Sequence, residues 1–320
     1  MTSTLTPPPV HEPARTAPRH RRAGERRRYL LIGVAVLVVS ALLAGAAAAV
    51  LHRRWDDRDR HYLGAGGWPV DGQAAYSFGG HTVAGPHQAP APIASLAKVM
   101  TAYLVLRAHP LDGGPGFTMH LTAADAAATA RREAEQQSVV AVRAGERLTE
   151  RQALMAVLLP SANNVAALLA RRVAGSKTAF VRLMNREASR LGMHDTRYTD
   201  PSGFDPRTVS TAYDQTLLAA AVAHDATLTE LVGTASYHLP VAGTVHNTDT
   251  LLGRRGFVGT KTGSDDAAGG CFMFRTYRVV HLHVRPMVGV VLGQQGHSFV
   301  LAGQYAAAQL ADRVDPNLPG

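Results

Sequence analysis

Pro92-Ile93-Ala94-Ser95-Leu96-Ala97-Lys98-Val99-Met100-Thr101-Ala102-Tyr103 is the stretch on which the reading of this chain turns. Ile93, Leu96, Ala97, Met100 and Leu104 recur at helical spacing, which predicts a helix running to about Arg107. Ser95 and Lys98, three residues apart, share one flank of it, with Cβ atoms roughly 5–6 Å apart. A hydroxyl that attacks a carbonyl needs a base within hydrogen-bond reach. A lysine one turn away serves if burial or a second cation strips its proton. The composition sharpens this: of 33 Lys+Arg, only Lys98, Lys177 and Lys261 are lysines. Arginine cannot be deprotonated in a protein, so a base role forbids the swap. Taken alone, S-x-x-K also arises by chance on many helices.

Two more segments carry the same kind of chemistry. Leu159-Pro160-Ser161-Ala162-Asn163 sits in the break between two expected helices, where a hydroxyl and an amide can project into a cleft. An ordinary helix cap is the competing reading. Gly259-Thr260-Lys261-Thr262-Gly263-Ser264 follows Phe257-Val258 and reads as a strand. Its glycine leaves the backbone open to a ligand, and its lysine and hydroxyls can receive a carboxylate. An exposed surface strand would look the same in isolation.

Net charge is +9, and its location matters more than its size. Residues 1–28 hold seven arginines against Glu12 and Glu25, are rich in proline, and show no apolar periodicity; a disordered basic tail is expected. Residues 29–51 contain no charge, long enough to cross a bilayer, and the heavier arginine load before them predicts a cytoplasmic N-terminus with the rest outside. Ala47-Ala48-Ala49 leaves a cleaved signal peptide as the alternative. Residues 52–67 read as a charged, then glycine-rich linker, 68–314 as one domain and 315–320 as a tail. The little charge left for that domain argues against a nucleic-acid surface. Cys271 is the only cysteine, which excludes an intrachain disulfide and a cysteine metal site. His281-x-His283 places two imidazoles on one strand face, as a solvated edge strand also would. No metal or cofactor is expected.

Within the domain, Trp68 to about Val83 suggests one or two strands with Asp71-Gly72 as the turn. Helices are expected over Leu121–Arg132, from the capping box Thr149-Glu150-Arg151-Gln152 to Pro160, from about Asn164 to Val173, over Thr178–Leu191, from Ser210-Thr211 through His224, and from Ser298 to about Val314. Phe257 to Leu292 is strand-like, broken at Gly269-Gly270 and Tyr277-Arg278. Strands at both ends with helices between predict an α/β fold: one antiparallel sheet built from both ends of the domain, flanked by helices, with an all-helical subdomain.

S-x-x-K, S-x-N and K-T-G in this order and at these separations form a specific signature of penicillin-recognising serine enzymes. The chain resembles the D-alanyl-D-alanine carboxypeptidase family of low-molecular-weight penicillin-binding proteins over roughly residues 68–312. Phe180 to Asn185, Leu191-Gly192-Met193, Asp200-Pro201-Ser202-Gly203, Ser210-Thr211-Ala212-Tyr213-Asp214, His246-Asn247-Thr248 and Gly269-Gly270-Cys271 carry the likeness beyond the motifs. The resemblance implies the β-lactamase/DD-peptidase fold and a catalytic set of Ser95, Lys98 and Ser161. Ser95 would attack the D-Ala-D-Ala bond of a peptidoglycan stem peptide, Lys98 accept its proton, and Ser161 relay a proton to the departing amine. Asn163 would hold the peptide amide, Lys261 and Thr262 the terminal carboxylate. The strand at Gly263 and Ser264 would shape an oxyanion hole between the Ser95 and Ser264 N–H groups. β-Lactams would act as covalent inhibitors, and the N-terminal helix would tie the enzyme to the membrane. Asn164 and Asp249 stand where the family pattern leads one to expect Asp and Asn. A class A β-lactamase needs a glutamate in E-x-x-L-N, and between Asn163 and Lys261 the only glutamates are Glu187 and Glu230, neither in that context. An endopeptidase cutting crosslinks, or an idle wall-peptide binder, remain as alternatives.

Overall fold

The structure is a computed structural model and describes residues 60–280 and 282–314. The expected basic tail, the uncharged span 29–51, the first half of the linker (52–59), His281 and the last six residues lie outside them. Among the described residues no helix is long and apolar enough to cross a membrane.

The chain first forms the hairpin β1 (Gln73–Phe78) and β2 (His81–Ala84), then a short β3 (Ala91–Pro92), a single 3-10 turn over Ala94–Leu96, and α1 (Ala97–Ala108). A helical block follows: β4 (Thr118–His120), α2 (Ala123–Ala134), β5 (Arg147–Thr149), α3 (Glu150–Leu158), α4 (Asn163–Ala174) and α5 (Lys177–Arg190). After β6 (Val209–Ser210) come α6 (Ala212–Ala223), α7 (Ala226–Val232), the small hairpin β7 (Ser236–Leu239) and β8 (Gly243–His246), and then β9 (Phe257–Asp265), β10 (Gly269–Val280), β11 (His283–Gln294) and α8 (Phe299–Arg313). The main sheet has the order β2-β1-β11-β10-β9, with every pairing antiparallel. It is therefore built from both ends of the domain, as expected.

Local chemistry sets the boundaries. Thr149 accepts from the Gln152 N–H while Gln152 returns a bond to Thr149, the capping box that opens α3. Thr122 and Asp125 do the same for α2, and Thr211 and Ser298 cap α6 and α8. One core joins α1, α3, α4 and α5 to one face of the sheet; on the other face α8 covers Phe257, Phe272 and Phe274, whose ring centroids lie 5.6–6.4 Å apart.

Three expectations change. The first hairpin turns at Gly79-Gly80, both at positive φ, rather than at Asp71-Gly72, which precedes β1; a two-residue hairpin turn of this kind needs left-handed backbone at both positions. The last hairpin does not break at Tyr277-Arg278, because β10 runs on to Val280 and pairs with β11 down to Val280↔His283. The described part of the linker, residues 60–67, is packed rather than free: Tyr62 is buried, its N–H bonds Gln309, and Leu63 bridges Pro69. Phe272→Ala should destabilise the domain by about 3–5 kcal/mol, read as a lowered denaturant midpoint, because the ring is fully buried between its two aromatic neighbours.

Candidate active site

The turn Ala94–Leu96 takes its shape from both sides. Ala94 is held at φ +44°, Ile93 N–H bonds Thr208 O, and β3 pairs with β6 immediately before it. Between Ile93 and Met100 every residue is buried except Ser95, which alone is partly open. One turn further along, Lys98 is completely buried. Its Nζ lies 2.7 Å from Ser95 Oγ and donates to Ser202 O at 2.9 Å. The Lys98 ammonium is pushed well below the usual lysine range, first by burial and next by the Lys261 charge, with Asp200 and Asp265 pulling the other way.

Ser202 is a partner that sequence reasoning missed, because the contact is made by its carbonyl. In the sequence Asp200-Pro201-Ser202-Gly203 reads as turn chemistry and as part of the family likeness, and neither reading points to a carbonyl. Asp200 ties the turn together, accepting from Ser202 Oγ and from the N–H groups of Gly203, Phe204 and Asp205. Gly203, at φ +77°, passes so close beneath the nucleophile turn that a Cβ there would lie 1.7 Å from Ala94 O. Thr101 Oγ1 on α1 clasps Pro201 O at 2.7 Å.

β9 forms the opposite wall. A Cβ at Gly263 would come 3.0 Å from the Ser95 nitrogen, so the strand runs directly against the nucleophile turn. Lys261 is buried and donates to Thr262 O; Thr262 Oγ1 lies 2.5 Å from Thr248 Oγ1, and Thr248 Oγ1 reaches Leu159 O at 3.4 Å. Thr248 thereby links the K-T-G strand to the loop carrying Ser161, a role its sequence did not announce. Ser161, at φ +68°, and Asn163 are nearly fully buried. Asn163 Nδ2 bonds Gln137, but Ser161 Oγ and Asn163 Oδ1 have no hydrogen-bond partner. Buried polar atoms are rarely left bare, so this loop holds two hydrogen-bonding groups that the protein itself does not use. Ser264 sits half-buried at the open end of β9, with no side-chain bond to Ser95.

The two departures from the family pattern differ in meaning. Asn164 is spent on structure, bonding Val140 and Thr129 in the core behind α4. Asp249 is buried within electrostatic reach of Lys261, with one oxygen unpartnered. Burial raises its carboxyl to about 6, and burial lowers Lys261 to about 7 despite the pull of Asp249. Glu187 is engaged by Arg107 and Arg190, and Glu230 by Arg151, so neither is available to deacylate an ester on Ser95. Among the described residues no group of side chains suits a metal ion.

The sequence pattern described as D-alanyl-D-alanine carboxypeptidase matches residues 83–296. Over 194 residues the chain is 35% identical to a D-alanyl-D-alanine endopeptidase of Pseudomonas aeruginosa, covering 58% of this chain and 59% of that protein. Over 221 residues it is 34% identical to the D-alanyl-D-alanine endopeptidase of Escherichia coli, with 64% of each covered. The chain thus spans about six tenths of the length of these relatives. The crystal structure of penicillin binding protein 6B from Escherichia coli superposes with a TM-score of 0.66 at 26% identity, covering 76% of each chain.

Two outcomes follow from the geometry. The pH profile of kcat/KM for Ser95 acylation should finish its rise well below pH 10.5, because burial strips the Lys98 proton early, and carboxylate-bearing substrates should in addition lose binding as Lys261 loses its charge near pH 7. A rate that keeps climbing through 10.5 would exclude Lys98 as the base. Gly203→Ala should slow acylation by about a hundredfold, measured with a chromogenic β-lactam, because the turn beneath Ser95 must shift.

Proposed function

The chain belongs to the D-alanyl-D-alanine carboxypeptidase family, and from that premise we propose that it is a serine DD-peptidase that trims the terminal D-alanine from peptidoglycan stem peptides. The observation that carries this reading is the direct 2.7 Å contact between Ser95 Oγ and a lysine amine that burial favours in its neutral form. Ser95 attacks the carbonyl of the D-Ala-D-Ala bond while Lys98 takes its proton. The N–H groups of Ser95 and Ser264 receive the developing oxyanion. Ser161 relays the proton held by Lys98 to the D-alanine nitrogen as the C–N bond breaks, Asn163 holds the peptide amide, and water then hydrolyses the acyl ester and frees Ser95 Oγ. Lys261 and Thr262 take the terminal carboxylate. Penicillin enters the same route and stays, since both glutamates that might have released it are tied up in ion pairs elsewhere.

A second reading, endopeptidase cleavage of crosslinks, is favoured by the names of the two relatives reported above and by the muted charge of Lys261 beside Asp249. We also propose that residues 29–51 hold the enzyme in the cell membrane with its N-terminus cytoplasmic and the catalytic domain outside; the uncharged run and its arginine flank support this.

Fluorescent penicillin should label the wild type durably and leave Ser95→Ala blank. D-Alanine release from a free pentapeptide should exceed cleavage of a crosslinked dimer; the reverse ratio would assign the endopeptidase. Label without any product would reduce the protein to a binder, rapid loss of label would make it a lactamase, and release surviving Ser95→Ala would end the proposed mechanism.

A further inference from the structure

A cavity of about 430 Å³ opens on the α6 side of the sheet, between the β1–β2 turn, the end of α6, and strands β10 and β11. That volume lies within the range of small-molecule sites. Its walls are apolar: Phe78, Ala220, Ala223, Pro286 and Val288. Its polar groups are Arg275, Arg285 and His224, with Ser77, and none of its lining residues is acidic.

Arg275 is the informative one. It is half-buried, donates once to Thr229 Oγ1 at 3.0 Å, stands over the Tyr277 ring, and keeps its Nε buried with no partner. Among the described residues, neither Arg275 nor Arg285 belongs to an ion pair. Asp225, which adjoins the lining residue His224, accepts from the Leu228 N–H at the N-terminus of α7, and Glu230, which adjoins Thr229, pairs with Arg151. A guanidinium drawn partly out of water without a counter-charge is costly, and that cost is relieved by an anion. Outward from the cavity, the cross-strand partners Val279 and Val284 expose 67% and 66% of their surface, so an apolar strip continues beyond it.

From this pairing of unopposed arginines with apolar walls, we propose that the cavity is a binding site for an anionic amphiphile, its phosphate or carboxylate on Arg275 and Arg285 and its alkyl body along Phe78, Pro286 and Val288. The site is separate from the cleft at Ser95 and does not depend on which peptide bond that cleft cuts.

The test titrates the full-length protein, held in zwitterionic nanodiscs, with hexyl phosphate, inorganic phosphate and hexanol by calorimetry. Hexyl phosphate should bind saturably and at least about tenfold tighter than either half alone, since each half forfeits one of the two recognitions. Arg275→Gln should weaken it by about tenfold or more while penicillin still labels Ser95, which reports an intact fold. Ala223→Phe, which fills the cavity and leaves both arginines in place, should do the same. Binding equal for hexyl and inorganic phosphate, affinity unchanged in Ala223→Phe, or displacement of hexyl phosphate by penicillin would each overturn the proposal.

Discussion

A lysine amine with no access to water is the constraint on which the site is built. Lys98 is fully enclosed, and its Nζ meets only Ser95 Oγ and Ser202 O. Keeping a charge there costs desolvation that no contacting carboxylate offsets, so the neutral amine is the favoured form. A neutral amine has two N–H bonds and one lone pair. Giving one N–H to the Ser202 carbonyl fixes the rotation of the group, and the lone pair then has Ser95 as its partner. The position of that carbonyl is therefore as much a part of the base as the lysine itself, and it is set by Asp200, whose carboxylate gathers three N–H groups and a hydroxyl around the turn.

The same constraint explains why so much of the chain converges here. α1 must present Lys98 toward the interior, which is why residues 96–100 are all buried. β9 must close one side, and at Gly263 it runs so close that a Cβ would lie 3.0 Å from the Ser95 nitrogen. The α3–α4 break carries Ser161 on left-handed backbone with its buried Oγ unpartnered, a conformation held at a small cost, and Thr248 ties that break to β9. Each wall belongs to a different part of the chain, so the cleft exists only when the sheet formed from both termini has closed around the helical block.

Much of this was legible because side-chain identity and spacing announce it. The three motifs, the caps at Thr149 and Thr211, and the helices between them follow directly from residue type. What escaped was carried by backbone or by packing. Ser202 acts through its carbonyl, which no residue code records, and the Thr248 bridge joins two loops distant in sequence. The β7–β8 hairpin and α7 were missed because four-residue strands and a seven-residue helix give too few turns of periodicity to read. Asp71-Gly72 looked like a hairpin turn, yet Gly79-Gly80 supplies two consecutive left-handed residues and takes that place. The glycine-rich segment before Trp68 looked free, whereas Tyr62 anchors it to α8.

If Lys261 takes a terminal carboxylate, as proposed above, the departure at Asp249 bears on what that ledge can select. A lysine with a fixed positive charge discriminates strongly for a free carboxylate. Here Lys261 and Asp249 are buried together, each pushed toward its neutral form and each opposing that shift in the other. An arriving carboxylate adds a negative charge and draws the proton onto Lys261, so the full cation is assembled by the ligand that needs it. A peptide strand without a terminal carboxylate meets an amine and the Thr262 hydroxyl instead, and pays little for an unpaired charge. Electrostatics at this ledge therefore separates terminal from internal bonds less sharply than a solvated lysine would, and leaves the shape of the cleft walls to decide between them.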